Sequence, residues 1–242
     1  MLAFSARLRI SFRQIDFMND ISTYPSGFSS RVSDFLKRVN YVRASSEEEL
    51  EAIYRLRYDA NLRERAIEPH PSERLRDRFD DTSNVHNFAI FIDDVLTSAL
   101  RIHIATAHEP YSPALEAFRD LLEDQITAGG VVIDGNRFVA NYPRARAFSH
   151  LPYITLRLGI LAADHFGADI ITASVRTEHV AFYQREYFAT KMCEPRPYPT
   201  LVKPLSLISI NIKRDRNDII ARHPFYESTS EERCKLFAQE QS

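Results

Sequence analysis

Apolar residues recur along this chain at helical and at strand spacing in turn. From Phe28 they fall at positions 28, 32, 35, 36 and 39, one face of a helix. "VNYVRAS" then reads as a short strand, and Ser45 with Glu48 forms a capping box ahead of a second helix. That helix places Leu50, Ile53, Tyr54 and Tyr58 on one face, and Arg57 falls on the same face. A polar segment, 61–86, leads to "NFAIFI" (87–92) and "VLTSALRIHI" (95–104). Their junction at Asp93-Asp94 predicts a hairpin. Residues 105–130 read as an insertion with one helix at 113–127. "VVIDGNRFVA" (131–140) is a strand interrupted by an acid, an amide and a base. Residues 151–166 carry Ile154, Leu158, Leu161, Ala162 and His165 on one helical face, and Gly167 stands where a C-terminal cap belongs. "ADIITASV" is a buried strand, Thr177 can cap a helix to about Tyr187, and 201–213 supplies a last strand. Ser228 and Glu231 offer a capping box for a short terminal helix.

Helices and strands therefore interleave around a central hairpin, which predicts an α/β fold with a mixed sheet. "STYPSG" is a loop signal, so residues 1–27 are expected to form an arm ahead of a single domain at 28–242. With 242 residues, 44% of them hydrophobic, a substantial core is available. The net charge of −2 gives no global bias toward nucleic acid or membrane. Two cysteines, Cys193 and Cys234, make neither a disulfide framework nor a metal cluster, which favours a reducing compartment. No apolar stretch reads as a signal peptide or a membrane span, so a cytoplasmic protein without stable membrane insertion is expected.

Six features could carry chemistry. Arg57 on an apolar helix face needs a partner: a buried structural ion pair or a functional group. Asp77 and Asp80 in "RDRFDD" are either a solvated run or a site holding an ammonium group or Arg57. Strand alternation puts Arg101 with Ala99 and His103, facing solvent or those acids. In "VVIDGNRFVA", strict alternation sends Asp134 and Arg137 to opposite faces, but a bulge at Gly135 would change that. Such a bulge would also free backbone donors for a carbonyl or thioester oxygen; the alternative is a cross-strand salt bridge. In "AFYQREYF", Phe182 and Phe188 read as core, whereas the Tyr183 hydroxyl could act as an acid. Arg144 and Arg146 in "RARAFS" precede a helix, where free N–H groups attract phosphate. No P-loop, GxGxxG, GxSxG or zinc spacing is present, so neither a bound cofactor nor a metal is expected.

The strand order, the strand–turn–helix at 131–166 and "AFYQREYF" resemble the GNAT acyltransferase fold, whose mixed, mostly antiparallel sheet has helices on both faces. Within it, the chain resembles acyl-homoserine lactone (autoinducer) synthases and the related N-acyl amino acid synthases. "YRLRYDA" is similar to their first-helix arginine motif (Arg57), and "DRFDD" to D-x-x-D (Asp77, Asp80). "SALRI" is similar to the strand arginine (Arg101), and "DGNRF" to E-x-x-R-F (Asp134, Arg137). Asn61 and Ile67 stand where the lactone synthases carry aromatics of the region that handles S-adenosylmethionine and the acyl donor. This shifts the expectation toward a free amino acid as acceptor.

The resemblance implies an N-acyltransferase that moves a long-chain acyl group from an acyl carrier protein (ACP) thioester, or from acyl-CoA, to the α-amine of an amino acid. Asp134, with Asp80 as second candidate, would take the amine's proton, and Tyr183 would protonate the leaving thiolate. Arg57, Asp77, Arg101 and Arg137 would shape the acceptor side. Val139, Arg144, Arg146 and Ser149 would hold the donor's phosphopantetheine. Three other readings remain open: a lactone synthase using S-adenosylmethionine, a short-chain acyl-CoA N-acetyltransferase, and a non-catalytic acyl- or carrier-binding module.

Overall fold

The computed structural model describes residues 27–238. The arm expected at 1–27 lies outside these residues except for Gly27. In chain order the elements are α1 (Gly27–Leu36), β1 (Val39–Arg43), α2 (Glu47–Arg63), β2 (Val85–Ile92), β3 (Val95–Ala105), α3 (Pro113–Ala117), α4 (Arg119–Thr127) and β4 (Val132–Ala140). They continue with α5 (Tyr142–Ala147), α6 (Leu151–Phe166), β5 (Ile170–Val175), α7 (Thr177–Tyr187), β6 (Thr190–Lys191), β7 (Arg196–Tyr198), β8 (Leu201–Asn211), α8 (Ile212–Arg222) and α9 (Ser230–Phe237). The strands form one sheet in the order β1-β2-β3-β4-β5-β8-β6, with β7 also on β8. Only β4 and β5 run parallel; the other pairs are antiparallel. Helices flank this mixed sheet, as the sequence predicts.

Local chemistry explains where elements begin and end. Asp93 and Asp94 both have positive φ, 50° and 60°, as a tight two-residue hairpin turn requires. The capping box of α2 is Ser46 with Glu49, one residue beyond the expected pair. "SSEEE" offers two overlapping registers, and the Glu49 carboxylate takes the N–H groups of both serines. The same doubling in "STSEE" moves the cap of α9 from Ser228 to Thr229, which accepts from the Glu232 N–H. The helix expected at 113–127 breaks in two at Phe118, whose ring is fully buried among Leu115, Leu122 and Ile126. The last strand stops at Asn211, whose side chain caps the unforeseen α8.

The two sheet faces differ. One carries Phe88, Ile90, Leu100, Ile102, Ile104 and Ile133, buried in a large core with Ile154, Leu158 and Leu161 of α6. On the other, α2 covers Ala89, Ala99 and Val139, while α3 and α4 cover Ala105 and Val132. Between these two apolar clusters lie Asn87, Arg101, His103, Asp134 and Asn136, all buried. Parallel pairing of β4 with β5 ends at Gly135 and Ala173, so β4 runs its last five residues paired only to β3.

Candidate active site

The interruption in β4 is resolved by a bulge. Asn136 pairs with Arg101 and Val139 with Ala99, so Arg137 and Phe138 together face Leu100. The bulged residue is Arg137, at φ 53°, and not Gly135 as the sequence suggests. Gly135 has no positive φ, and an added Cβ would meet only the Thr172 carbonyl at ordinary contact distance, 3.7 Å. The extra residue brings Asn136 and Arg137 to the same face. Asp134 and Arg137 therefore share a face, and no ion pair joins them among the described residues.

What forms instead is a chain of alternating charge. Arg57 donates from Nη1 to Asp80 Oδ1 (2.8 Å) and from Nη2 to Asn87 Oδ1 (2.5 Å). Arg101 Nη1 lies 2.9 Å from Asp80 Oδ2 and donates to Asp77 Oδ1 at 2.7 Å. Arg137 Nη2 donates to Asp77 Oδ2 at 2.6 Å and to the Thr200 hydroxyl. The arginines and both acids are nearly inaccessible to water, with side-chain exposures of 0–6%. Neither the solvated run nor the solvent-facing arginine survives as a reading of these residues. Burial alone would raise Asp77, but Arg101 and Arg137 overcome it and hold its carboxyl well below the usual range. Asp80 is lowered in the same way by Arg57 and Arg101. Burial draws Arg57 down to about 10 against the pull of Asp80, so it stays charged at neutral pH.

Three side chains outside the candidate site residues hold this chain in place. Asn136 accepts from Arg101 Nε (2.6 Å) and donates to His103 Nδ1 (3.2 Å), while His103 Nε2 bonds the Phe79 carbonyl (2.9 Å). These contacts fix His103 as the neutral Nε2–H tautomer. Burial, with Arg101 beside it, draws the imidazole down to about 3. Asn87 is the third. The signal was the period-two pattern: Asn87, Arg101 and Asn136 are direct neighbours across β2, β3 and β4.

Asp134 stands apart from the ion pairs. It is fully buried, and its Oδ2 accepts the Ala114 N–H at 2.9 Å in the first turn of α3. Its Oδ1 has no hydrogen-bond partner among the described residues. Burial raises its pKa, opposed in part by the Ala114 N–H. Tyr198 of β7 is a further buried neighbour, its hydroxyl pushed up by burial and by the Asp134 charge.

The donor-side candidates gather where β4 and β5 end. Because these strands are parallel, α5 with Arg144 and Arg146, and Arg176 at the cap of α7, lie at the same sheet end. Arg144 and Arg146 sit on a separate helical turn capped by Asn141, and not in the turn directly before α6. Arg146 and Arg63 both lie over the Tyr142 ring, at 5.8 and 4.5 Å. Ser149 is exposed beside them, whereas the Val139 side chain packs under α2. Tyr183 is buried against Phe182 and Tyr187, and burial raises its hydroxyl pKa, keeping it protonated.

An open pocket of about 580 Å³ lies next to the charged chain. It is bounded by Tyr58 of α2, by Ile67, His70 and Arg76 of the following segment, and by Thr200 and Leu201 at the start of β8. Among the described residues, no group of three or more His, Cys, Asp or Glu could hold a metal ion, and no helix is long and apolar enough to cross a membrane.

Solved structures share this fold. An N-acyl amino acid synthase from uncultured soil microbes, FeeM, superposes with a TM-score of 0.63 at 15% identity, covering 76% of this chain and 97% of its own. BjaI, a CoA-dependent acyl-homoserine lactone synthase, gives 0.57 at 16% identity over 78% and 89% of the two chains. An acyl-CoA N-acyltransferase from Pseudomonas aeruginosa gives 0.51 at 17% identity over 71% and 99%. No curated protein sequence matches significantly. The family model for the N-acyl amino acid synthase FeeM matches residues 52–211, which include every charged residue of the site. This acyl-transferring enzyme therefore belongs to the FeeM family of N-acyl amino acid synthases.

Proposed function

We propose that the enzyme moves a long-chain acyl group from an acyl-ACP thioester to the α-amine of a free amino acid. The observation that carries the reading is Asp134: a fully buried carboxyl with one oxygen fixed and the other unpartnered, at the point where β4 and β5 separate. The amine arrives largely protonated, since an α-amino group has a pKa of about 8. Asp134, directly or through one water, accepts that proton through Oδ1. Asp80 suits the task less, because each of its oxygens is bonded to an arginine and its pKa is lowered. Tyr183, kept protonated by burial, supplies the proton for the departing thiolate. The chain from Arg57 to Arg137 shapes the acceptor pocket. Its Ile67 stands where the lactone synthases place an aromatic, which supports an acceptor other than S-adenosylmethionine.

On the donor side, the unpaired edge of β4 through Val139 offers backbone donors for the thioester carbonyl. Arg144 and Arg146, with Ser149 beside them, receive the phosphopantetheine phosphate. Arg63, over the same Tyr142 ring as Arg146, extends the basic rim toward an acidic carrier protein. The reaction is amide formation with loss of a thiol, so no cofactor or metal is consumed.

The test has two parts. Lipid extracts of cells with and without the expressed gene, compared by mass spectrometry, should show a new N-acyl amino acid; a lactone in its place rejects the acceptor assignment. Purified enzyme should then turn over acyl-ACP faster than the matching acyl-CoA, and the reverse order rejects the carrier protein as donor.

A further inference from the structure

The geometry points to Arg137, held by Thr200, as the residue that recognises the carboxylate of the acceptor and so restricts the enzyme to acceptors bearing a free acid beside the amine. This rests on the amino acid reading above and adds how the acceptor is selected.

The first support is charge. Three arginines, Arg57, Arg101 and Arg137, share two carboxylates, Asp77 and Asp80, so the buried chain begins and ends on a cation. Asp134 makes no ion pair with any of them, so the carboxylate proposed as base closes neither end of the chain. The chain is one anion short. The Arg57 end is sealed at 0% exposure, whereas the Arg137 end meets Thr200, a wall residue of the open pocket. A carboxylate placed there completes the alternation. The planar guanidinium fork suits two parallel bonds to such a group, and shelter from water strengthens them.

The second support is backbone conformation. Arg137 and Thr200 both lie in the left-handed region, at φ 53° and 62°, although neither is glycine. Such a conformation is strained for a residue other than glycine and persists where the surroundings require it. These two strained residues are hydrogen-bonded to each other at the pocket wall. Asp134 projects from the same strand on the same face, so an acceptor anchored at Arg137 keeps its amine on the side of the proposed base. Arg74 and Arg76 also line the pocket, but they are 42% and 50% exposed and already pair with Glu51 and Asp81.

The experiment compares the twenty amino acids with their carboxamides, using the purified full chain and acyl-ACP. For the preferred side chain, the wild type should favour the acid over the amide by about 10- to 100-fold in kcat/KM. Arg137→Gln should erase the preference by raising KM for the acid far more than for the amide, and Arg137→Lys should restore part of it. Asp77 keeps both bonds from Arg101 in these variants, which favours folding. Should Arg137→Gln fail to fold, Thr200→Val carries the test, with a smaller fall in the ratio of acid to amide kcat/KM. Equal use of acid and amide by the wild type overturns the assignment, as does a preference that survives Arg137→Gln and vanishes in Arg76→Gln. Turnover of neither acids nor amides overturns the amino acid reading itself, and this assignment with it.

Discussion

The two faces of the sheet bury their residues by opposite means. On the α6 side, leucines and isoleucines from five strands meet apolar helix residues, and stability follows from area and close packing. On the α2 side, alanines and valines at either end leave a middle band filled by ions, amides and a neutral imidazole. That band is costly to desolvate, and it is held by mutual pairing rather than by hydrophobic transfer. The difference teaches where to look for chemistry: the apolar face fixes the strands, and the charged band uses them as a rigid mount.

Substitutions should separate the two roles. Asp134→Asn keeps an acceptor for the Ala114 N–H and removes the base, so turnover should fall by about 10²–10⁴-fold with the melting curve intact. Full activity in that variant would remove Asp134 from the mechanism. Arg101→Leu leaves each of two buried carboxylates with a single arginine and should cost roughly 3–5 kcal/mol in urea denaturation. Leu158→Ala on the opposite face should cost about 2–5 kcal/mol, a similar loss from a different cause. Acid titration then tells these two apart. The Asp77 pKa is lowered on folding, so its contribution is complete above the unfolded value of about 3.9 and is lost as pH falls toward the folded value. Unfolding free energies measured from pH 6 to pH 3 should drop as steeply in Leu158→Ala as in the wild type. In Arg101→Leu the drop should be shallower; identical slopes would mean that the charged band does not set the acid sensitivity. The smallest effect is expected for Tyr183→Phe. A thiolate leaves with little help, because a thiol has a pKa near 8.5, so kcat should fall less than about tenfold. A larger fall would give the hydroxyl a second duty.

Much of this was legible from the residues. Period two placed Arg101 and His103 together, and the helical spacing put Arg57 on the buried face of α2. The acids in "RDRFDD" could not be assigned partners from spacing, because Asp77 and Asp80 meet arginines from three different elements only after folding. The bulge was foreseen at the glycine, the residue that tolerates it most cheaply, and occurs two residues later at an arginine. Local propensity gave way to tertiary contacts: the side chain of Arg137 is fixed by Asp77 and Thr200, and the backbone follows. Asn87 looked like an ordinary strand residue because nothing local marks an amide whose partner is thirty positions away. The pocket joins segments on either side of six strands and five helices, so no sequence window contains it.

The left-handed conformation of Arg137 and Thr200 also bears on how this enzyme would respond to engineering. Glycine at either position would relax the backbone, but at Arg137 it would also break the buried pair with Asp77, so a screen for heat resistance should reward it only at Thr200. That replacement deletes a hydroxyl from the pocket wall. Libraries selected for robustness alone should therefore accumulate well-folded, less active variants at Thr200, and retention of the threonine under such selection would mark the point where durability and turnover compete.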